Sequence, residues 1–216
     1  MSDTYEAQRR RWLEARKRGL GGSDAACILG LNPWKSNVQL WEEKTGRREA
    51  EDLSDKPAVS YGKQAEAPLR ALFVLDHPEY AVGYDEFAML SQPARPWLFA
   101  TLDGDLTETA TGRRGVLEIK TTEIQRSSGW DAWNDRVPEH YYAQILHQLL
   151  ATGFDFAVLK AQIKWHKGGE LQVTTRHYTF DRAACLEDMN YLLEKETAFW
   201  ACVTEARRPP LLLPKI

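Results

Sequence analysis

The sequence predicts one α/β domain, a central mixed sheet with helices on its faces. Three observations carry that prediction. Apolar residues follow a helical spacing through Leu75, switch to strand-like runs between Ala81 and Thr121, and return to a helical spacing after Pro138. A chain of 216 residues is long enough for one sizeable core. No internal repeat or linker interrupts it, so residues 1–216 read as a single domain.

Taken in order, Tyr5–Arg18 reads as a basic helix stopped by Gly19 and the Gly21-Gly22 pair. Ser23 caps a short apolar helix, Asp24–Leu29, with Asp24 well placed in its first turn. Asn32-Pro33 breaks the chain. Ser36 or Asn37 opens a further helix through Lys44, closed by Gly46. Glu49–Ala58 is polar and acidic, a loop, and Tyr61–Leu75 is strongly amphipathic. Ala81–Leu90, Trp97–Asp103 and Gly115–Thr121 read as strands, with a turn at Thr109–Arg114. Ser127–Val137 is irregular. Pro138 starts a helix that runs to Thr152 and stops at Gly153. Phe156–Trp165 and Leu171–Phe180 form a hairpin across Lys167-Gly168-Gly169. Asp181 caps a final helix that reaches about Ala206, before Pro209-Pro210.

Composition removes several function classes. No apolar run approaches the ~20 residues of a membrane span. MSDTYEAQRRRW is followed by no apolar stretch, so no secretory signal is expected. Cys27, Cys185 and Cys202 are odd in number and form no C-x-x-C pair, which suits a reducing cytoplasm. The five histidines lack zinc-ligand spacing, and no G-x-S-x-G elbow marks a serine hydrolase. Net charge is −3, yet Arg9, Arg10, Arg11, Arg16, Lys17 and Arg18 crowd into ten residues against Glu14 alone. Such a block either holds a phosphate backbone or is a solvated helix face.

FATLDGDL (Phe99–Leu106) and GVLEIKTT (Gly115–Thr122) carry the most chemistry. Residues two apart on a strand share a face, so Glu118 and Lys120 project together while Leu117 and Ile119 project the other way. If the two segments are neighbours, Asp103, Glu118 and Lys120 converge. Two close carboxylates with an ammonium form a hard-oxygen site for a magnesium-type cation, as phosphodiester hydrolysis requires. Taken alone, the same letters also suit a solvated strand face and a turn.

Further residues line up with that set. Glu66 shares a helix face with Leu69 and Phe73, where it is either metal-linked or an edge acid paired to Arg70. Gln144 and Gln148 stack one turn apart and could aim two amides at a site. The glycines of GLGGSDAACILGLNPW lead into a helix, with Ser23 at its start and Arg16 upstream, forming either an anion site or an ordinary capped helix. Thr101 lies two residues before Asp103. Trp130 and Trp133, in the irregular segment, are candidate DNA or interface contacts.

GLGGSDAACILGLNPWKSNVQLWEEKTGR, GKQAEAPLRALF, FATLDGDL, GVLEIKTT and VPEHYYAQILHQLLATG resemble, in order, the motifs of the YqaJ-like viral recombinases, relatives of the lambda-phage exonuclease. The resemblance spans roughly residues 9 to 160. It implies a PD-(D/E)XK, restriction-endonuclease-like core and Mg²⁺-dependent digestion of duplex DNA, with Mn²⁺ a possible substitute. In lambda-type enzymes digestion runs 5′→3′ from a double-strand end. It implies a homotrimeric ring, a single-strand annealing partner and a bacterial host cytoplasm. Asp103 and Glu118 match the metal ligands, joined by the Ile119 carbonyl, in a two-metal mechanism. Lys120 matches the lysine beside the attacking water, and Glu66 and Gln144 the auxiliary acid and amide. Arg16, Ser23 and Thr101 fall where the 5′-terminal phosphate is held. Leu102 departs from the family's frequent proline, Asp105 is an additional acid, and no family motif follows residue 165. The alternatives are an endonuclease on the same core and a non-catalytic DNA-binding module; the complete Asp103, Glu118 and Lys120 set speaks against the second.

Overall fold

The computed structural model describes residues 3–213; residues 1–2 and 214–216, the ends of the predicted domain, lie outside the described residues. The chain runs α1 (Tyr5–Arg16), α2 (Gly22–Ile28), α3 (Asn37–Lys44), α4 (Pro57–Asp76), β1 (Tyr80–Gly83), β2 (Leu90–Ser91), β3 (Phe99–Ala100), β4 (Gly104–Glu108) and β5 (Arg114–Ile124). A 3₁₀ helix (Ser127–Trp133), α5 (Glu139–Thr152), β6 (Phe156–Lys167), β7 (Glu170–Asp181) and α6 (Leu186–Thr204) complete it.

Five strands form one sheet in the order β1-β4-β5-β6-β7, and β2 pairs with β3 separately. Only β5 and β6 run parallel, with Gly115 opposite Phe156 through Ile124 opposite Trp165. A parallel neighbour cannot be reached by a tight turn, so the connection crosses one face of the sheet as α5. Alternation along the strands then divides the core. Val116, Ala157, Leu159 and Ala161 pack with Ile145 and Leu149 of α5, while Leu117, Ile119 and Val158 pack with Leu69 and Phe73 of α4. Ala25 and Ala26 let the short α2 approach α5 closely, and Cys27 and Ile28 join Leu40, Trp41 and Phe199 on its other side. The three cysteines are buried free thiols.

Local signals set most element ends. Ser36 accepts from the Gln39 N–H (3.2 Å) and Gln39 accepts in return from Ser36 (2.8 Å), a reciprocal cap on α3. Gly153 closes α5 in the left-handed conformation at φ 74°. Other ends differ from expectation. The cap of α2 is Gly21, not Ser23: the Asp24 carboxylate accepts from the Gly21 N–H (3.0 Å). Helix α4 starts at Pro57, four residues before Tyr61, since a proline without an N–H costs nothing in a first turn. Asp181 ends β7 and accepts from the Ala183 N–H (2.9 Å), so its side chain makes a turn and α6 begins only at Leu186.

The strands before Gly115 are the main correction. The run Ala81–Leu90 divides into β1 and β2 because Asp85 accepts from the Phe87 N–H (3.0 Å) and turns the chain. The run Trp97–Asp103 keeps only Phe99–Ala100 as strand. The neighbour of β5 is β4, which starts one residue after Asp103, with Gly104 opposite Leu117 and Thr107 opposite Arg114. Trp133 is 3% exposed and its carbonyl accepts from Tyr178 (2.7 Å), so it is a core residue and not a DNA contact.

The loop between α1 and α2 is anchored to the segment before β3. Leu20 donates to the Trp97 carbonyl (2.6 Å), and the Leu20 carbonyl accepts from the Phe99 N–H (3.0 Å). A Cβ on Gly19 would stand 2.3 Å from the Trp97 oxygen. Gly19→Ala is therefore expected to push this loop off its anchor and to cost roughly 1–3 kcal/mol, measurable by denaturant unfolding. Unchanged stability would show that the approach is not a constraint.

Candidate active site

The end of β4 creates the site. Beyond Leu117 the β4-facing edge of β5 has no strand beside it, and Asp103 fills the gap: its Oδ2 accepts from the Ile119 N–H at 2.7 Å. A residue's N–H and C=O leave the same edge of an extended strand, so the Ile119 carbonyl faces that edge as well. Glu118 and Lys120 project from the other face of β5, toward α5. A cleft of about 400 Å³ opens there, lined by nine of the residues singled out from the sequence: Asp103, Glu118, Ile119, Lys120, Glu66, Gln144, Arg16, Ser23 and Thr101. Thr101 reaches it from the bend before β4, not from a strand.

Glu118 is 2% exposed, and three donors satisfy it. Gln144 reaches Oε1 and Gln148 reaches Oε2, each at 2.6 Å, and the Lys120 ammonium stands 2.5 Å from Oε1. The site at which the two amides aim is thus the carboxylate itself. Their one-turn spacing on α5 makes that grip possible. Helix α2 closes against the same amides, since a Cβ on Gly22 would lie 3.0 Å from Gln144 Cγ.

The two buried carboxylates are unequally relieved. Burial, then the neighbouring Glu118, hold the Asp103 carboxyl well above the usual carboxylate range, with Lys120 and the Ile119 N–H pulling the other way. Burial alone would disfavour the Lys120 ammonium, but Glu118 and Asp103 outweigh it and keep the proton on. Buried carboxylates that repel one another, beside the Ile119 carbonyl on the strand edge, are a donor set suited to a divalent cation of the magnesium type. No group of three His, Cys, Asp or Glu side chains is close enough to hold a metal among the described residues. A cation here would draw on two carboxylates and a carbonyl and complete its shell with water or phosphate oxygens, as Mg²⁺ commonly does.

Glu66 is the edge acid paired to Arg70, and it faces the cleft as well. It lines the cleft, and it accepts from Arg70 one turn along α4 at 3.1 Å. Arg70 also donates to the Asp103 carbonyl and lies over the Tyr84 ring at 3.5 Å, tying Glu66 to the Asp103 backbone. Neither Arg70 nor Lys63, which lines the cleft from the preceding turn, was singled out as a site residue. Their spacing of four and three residues from Glu66 was the available signal.

Arg16 and Ser23 link this cleft to a second groove of about 880 Å³, also lined by Arg9, Arg10, Lys17, Lys35, Lys44 and Arg48. Part of the basic block thus faces a groove, whereas Arg11 pairs with Asp3 on the surface. The Asp24 carboxylate is already held by Lys44 (2.8 Å) and the Gly21 N–H (3.0 Å). Arg16 stacks over Trp12 at 4.6 Å, and burial weakens its hold on its proton slightly against the field of Asp24.

Comparison with known proteins places this geometry. The fold matches that of an alkaline exonuclease from Laribacter hongkongensis with a TM-score of 0.66 at 17% identity, covering 92% of this chain and 94% of that one. The structure of that exonuclease in complex with dAMP matches with a TM-score of 0.64 over the same shares, again at 17% identity. The fold is thus the restriction-endonuclease-like fold expected. In sequence the chain is 31% identical over 156 residues to the uncharacterised protein YqaJ of Bacillus subtilis (strain 168), covering 72% of this chain and 46% of that protein. It therefore spans about half the length of that relative. The YqaJ-like viral recombinase domain matches residues 11–155, an interval that contains every residue lining the cleft. With its motifs, its cleft and its relatives in agreement, the chain belongs to the YqaJ-like viral recombinase domain family.

Proposed function

We propose that the chain is a Mg²⁺-dependent nuclease, active also with Mn²⁺, that digests duplex DNA ends 5′→3′ and leaves 3′ single strands. The observation that carries this reading is the meeting of Asp103, Glu118 and Lys120 in one cleft with Arg16 and Ser23 at its other wall. The dAMP bound by the Laribacter exonuclease supports a 5′-mononucleotide product. A homotrimeric ring, a single-strand annealing partner and work in the cytoplasm of a phage-infected bacterium complete the proposal.

Asp103, Glu118 and the Ile119 carbonyl would hold the cation. Bound there in one or two copies, Mg²⁺ supplies water activation and charge stabilisation on the leaving 3′-oxygen. The chain's own groups do the rest. Gln144 and Gln148 keep both Glu118 oxygens in place, and Arg70 keeps Glu66 and the Asp103 backbone in register. Lys120 holds a proton-rich ammonium beside the carboxylates, where it orients the attacking water. Arg16, with the Ser23 and Thr101 hydroxyls, receives the terminal phosphate and thereby sets the direction of digestion.

Linear duplex labelled at either end, incubated beside closed circular DNA, tests the reading. Loss of 5′ label as mononucleotide with the circle intact is expected. Nicked or linearised circles would move the protein to the endonuclease class, and no cleavage with Mg²⁺ or Mn²⁺ would leave a binding module.

Asp103→Asn keeps the acceptor for the Ile119 N–H and removes the repelled charge. Cleavage should fall about a thousand-fold or more, equal to roughly 4 kcal/mol of transition-state stabilisation. Metal-free stability should rise, with a gain of about 1 kcal/mol appearing as ~2–4 °C in Tm. The sign follows from the raised Asp103 carboxyl: the folded state holds that proton more tightly than the unfolded chain. Wild-type stability therefore falls as pH climbs above about 3.9, and the variant's advantage widens toward neutral pH. Retained cleavage would remove Asp103 from the mechanism.

Arg16→Ala should erase the preference for 5′-phosphorylated over 5′-hydroxyl ends while cleavage itself persists. Competition between the two substrates reads this out, and an unchanged preference would place the phosphate elsewhere.

A further inference from the structure

His147 sits on α5 between Gln144 and Gln148, and it is wholly buried together with Glu196 of α6. Its Nδ1 lies 2.6 Å from Glu196 Oε1, and its Nε2 lies 2.8 Å from the Phe99 carbonyl of β3. A carbonyl only accepts, so Nε2 carries a proton. Nδ1 and Glu196 share the second proton, and with that proton on the ring the pair is an imidazolium against a carboxylate. Glu196 Oε2 has no partner, which commits that carboxylate to the ring alone.

The contacts of this ring reach both sides of the cleft. Phe99 opens the short run that leads through Thr101 to Asp103. Gln148 follows His147 directly and holds Glu118 Oε2, while Gln144, one turn earlier, holds Oε1. One side chain therefore joins the segment that carries one carboxylate to the helix that orients the other.

We propose that His147 is a positioning residue whose charged ring, neutralised by Glu196, fixes the spacing between the Asp103 segment and the amide pair on Glu118. What that spacing serves rests on the nuclease reading above. Burial pulls the ring toward its neutral form, but Glu196 from α6, the Phe99 carbonyl from β3 and Asp24 from α2 outweigh it, so His147 keeps its proton more tightly than a free histidine. The stabilisation is complete below about pH 6.5, the ordinary histidine value, and is lost only as pH rises through the elevated folded value.

Two measurements test the proposal on the intact chain. Nitrogen-15 NMR of the histidine rings at about pH 6.5, where a free histidine is half neutral, should show both His147 nitrogens protonated; a neutral ring, with the proton on Glu196, would overturn the charged form. The double variant H147F/E196L replaces the pair by apolar groups of similar size, an exchange that commonly preserves or raises stability. It should fold with a Tm near wild type yet bind Mn²⁺, measured without DNA, roughly 10–100-fold more weakly, and its kcat should fall with KM for DNA unchanged. Wild-type Mn²⁺ affinity in the folded double variant would reduce His147 to a packing role. A wild-type chain that binds Mn²⁺ without cutting DNA would instead overturn the nuclease reading alone.

Discussion

A carboxylate buried on the middle strand of the sheet sets the terms for the rest of the structure. Glu118 is 2% exposed, and an isolated charge in such a position costs several kcal/mol. Its compensation comes from Gln144, Gln148 and Lys120. Two of these donors ride on α5, whose path over the sheet is required by the parallel pairing of β5 with β6. Topology and electrostatics are here one constraint: the crossover that makes the sheet possible also delivers the amides that make its central acid tolerable. The small side chains of α2, packed beneath that crossover, allow Ser23 to reach the same cleft.

Asp103 shows what remains unrelieved. Its Oδ2 holds the Ile119 N–H where β4 stops, yet burial and Glu118 still press it toward protonation. Backbone order and charge balance pull in opposite directions at this residue. Such a conflict is expected where a fold gives up stability for chemistry, and the cation we propose would relieve it.

Much of this was legible in the residues. The alternation of Leu117 and Ile119 against Glu118 and Lys120 named the two faces of β5, and the strand shows that division. The amide spacing on α5 and the hairpin of β6 and β7 were equally plain, because regular periods repeat over ten or more residues. Strand β4 was not legible. Asp-Gly-Asp carries every mark of a turn, and only pairing with β5 makes Gly104–Glu108 a strand. Short strands such as β2 and β3 are held by distant partners that no local period records. The pairing of Glu196 with His147 was not legible either: nothing in sequence spacing connects two residues 49 positions apart. Polar pairs inside a core become visible only when the helices that carry them are docked.

Helix α1 buries none of its residues. It leans on the body through Tyr5 and Trp12 against Phe87, with ring centroids 5.4 and 6.4 Å apart, and through the Tyr5 hydroxyl on Glu86 at 2.7 Å. Its far end is different: Lys44 grips the Arg16 and Gly19 carbonyls at 3.2 and 2.7 Å. Opening free energies follow buried contacts, so the amides of α1 should exchange with solvent at a smaller cost than global unfolding. That opening should stop at the clamp. Arg16 thus stands at a junction, where a lightly anchored basic helix meets a loop clamped from two sides.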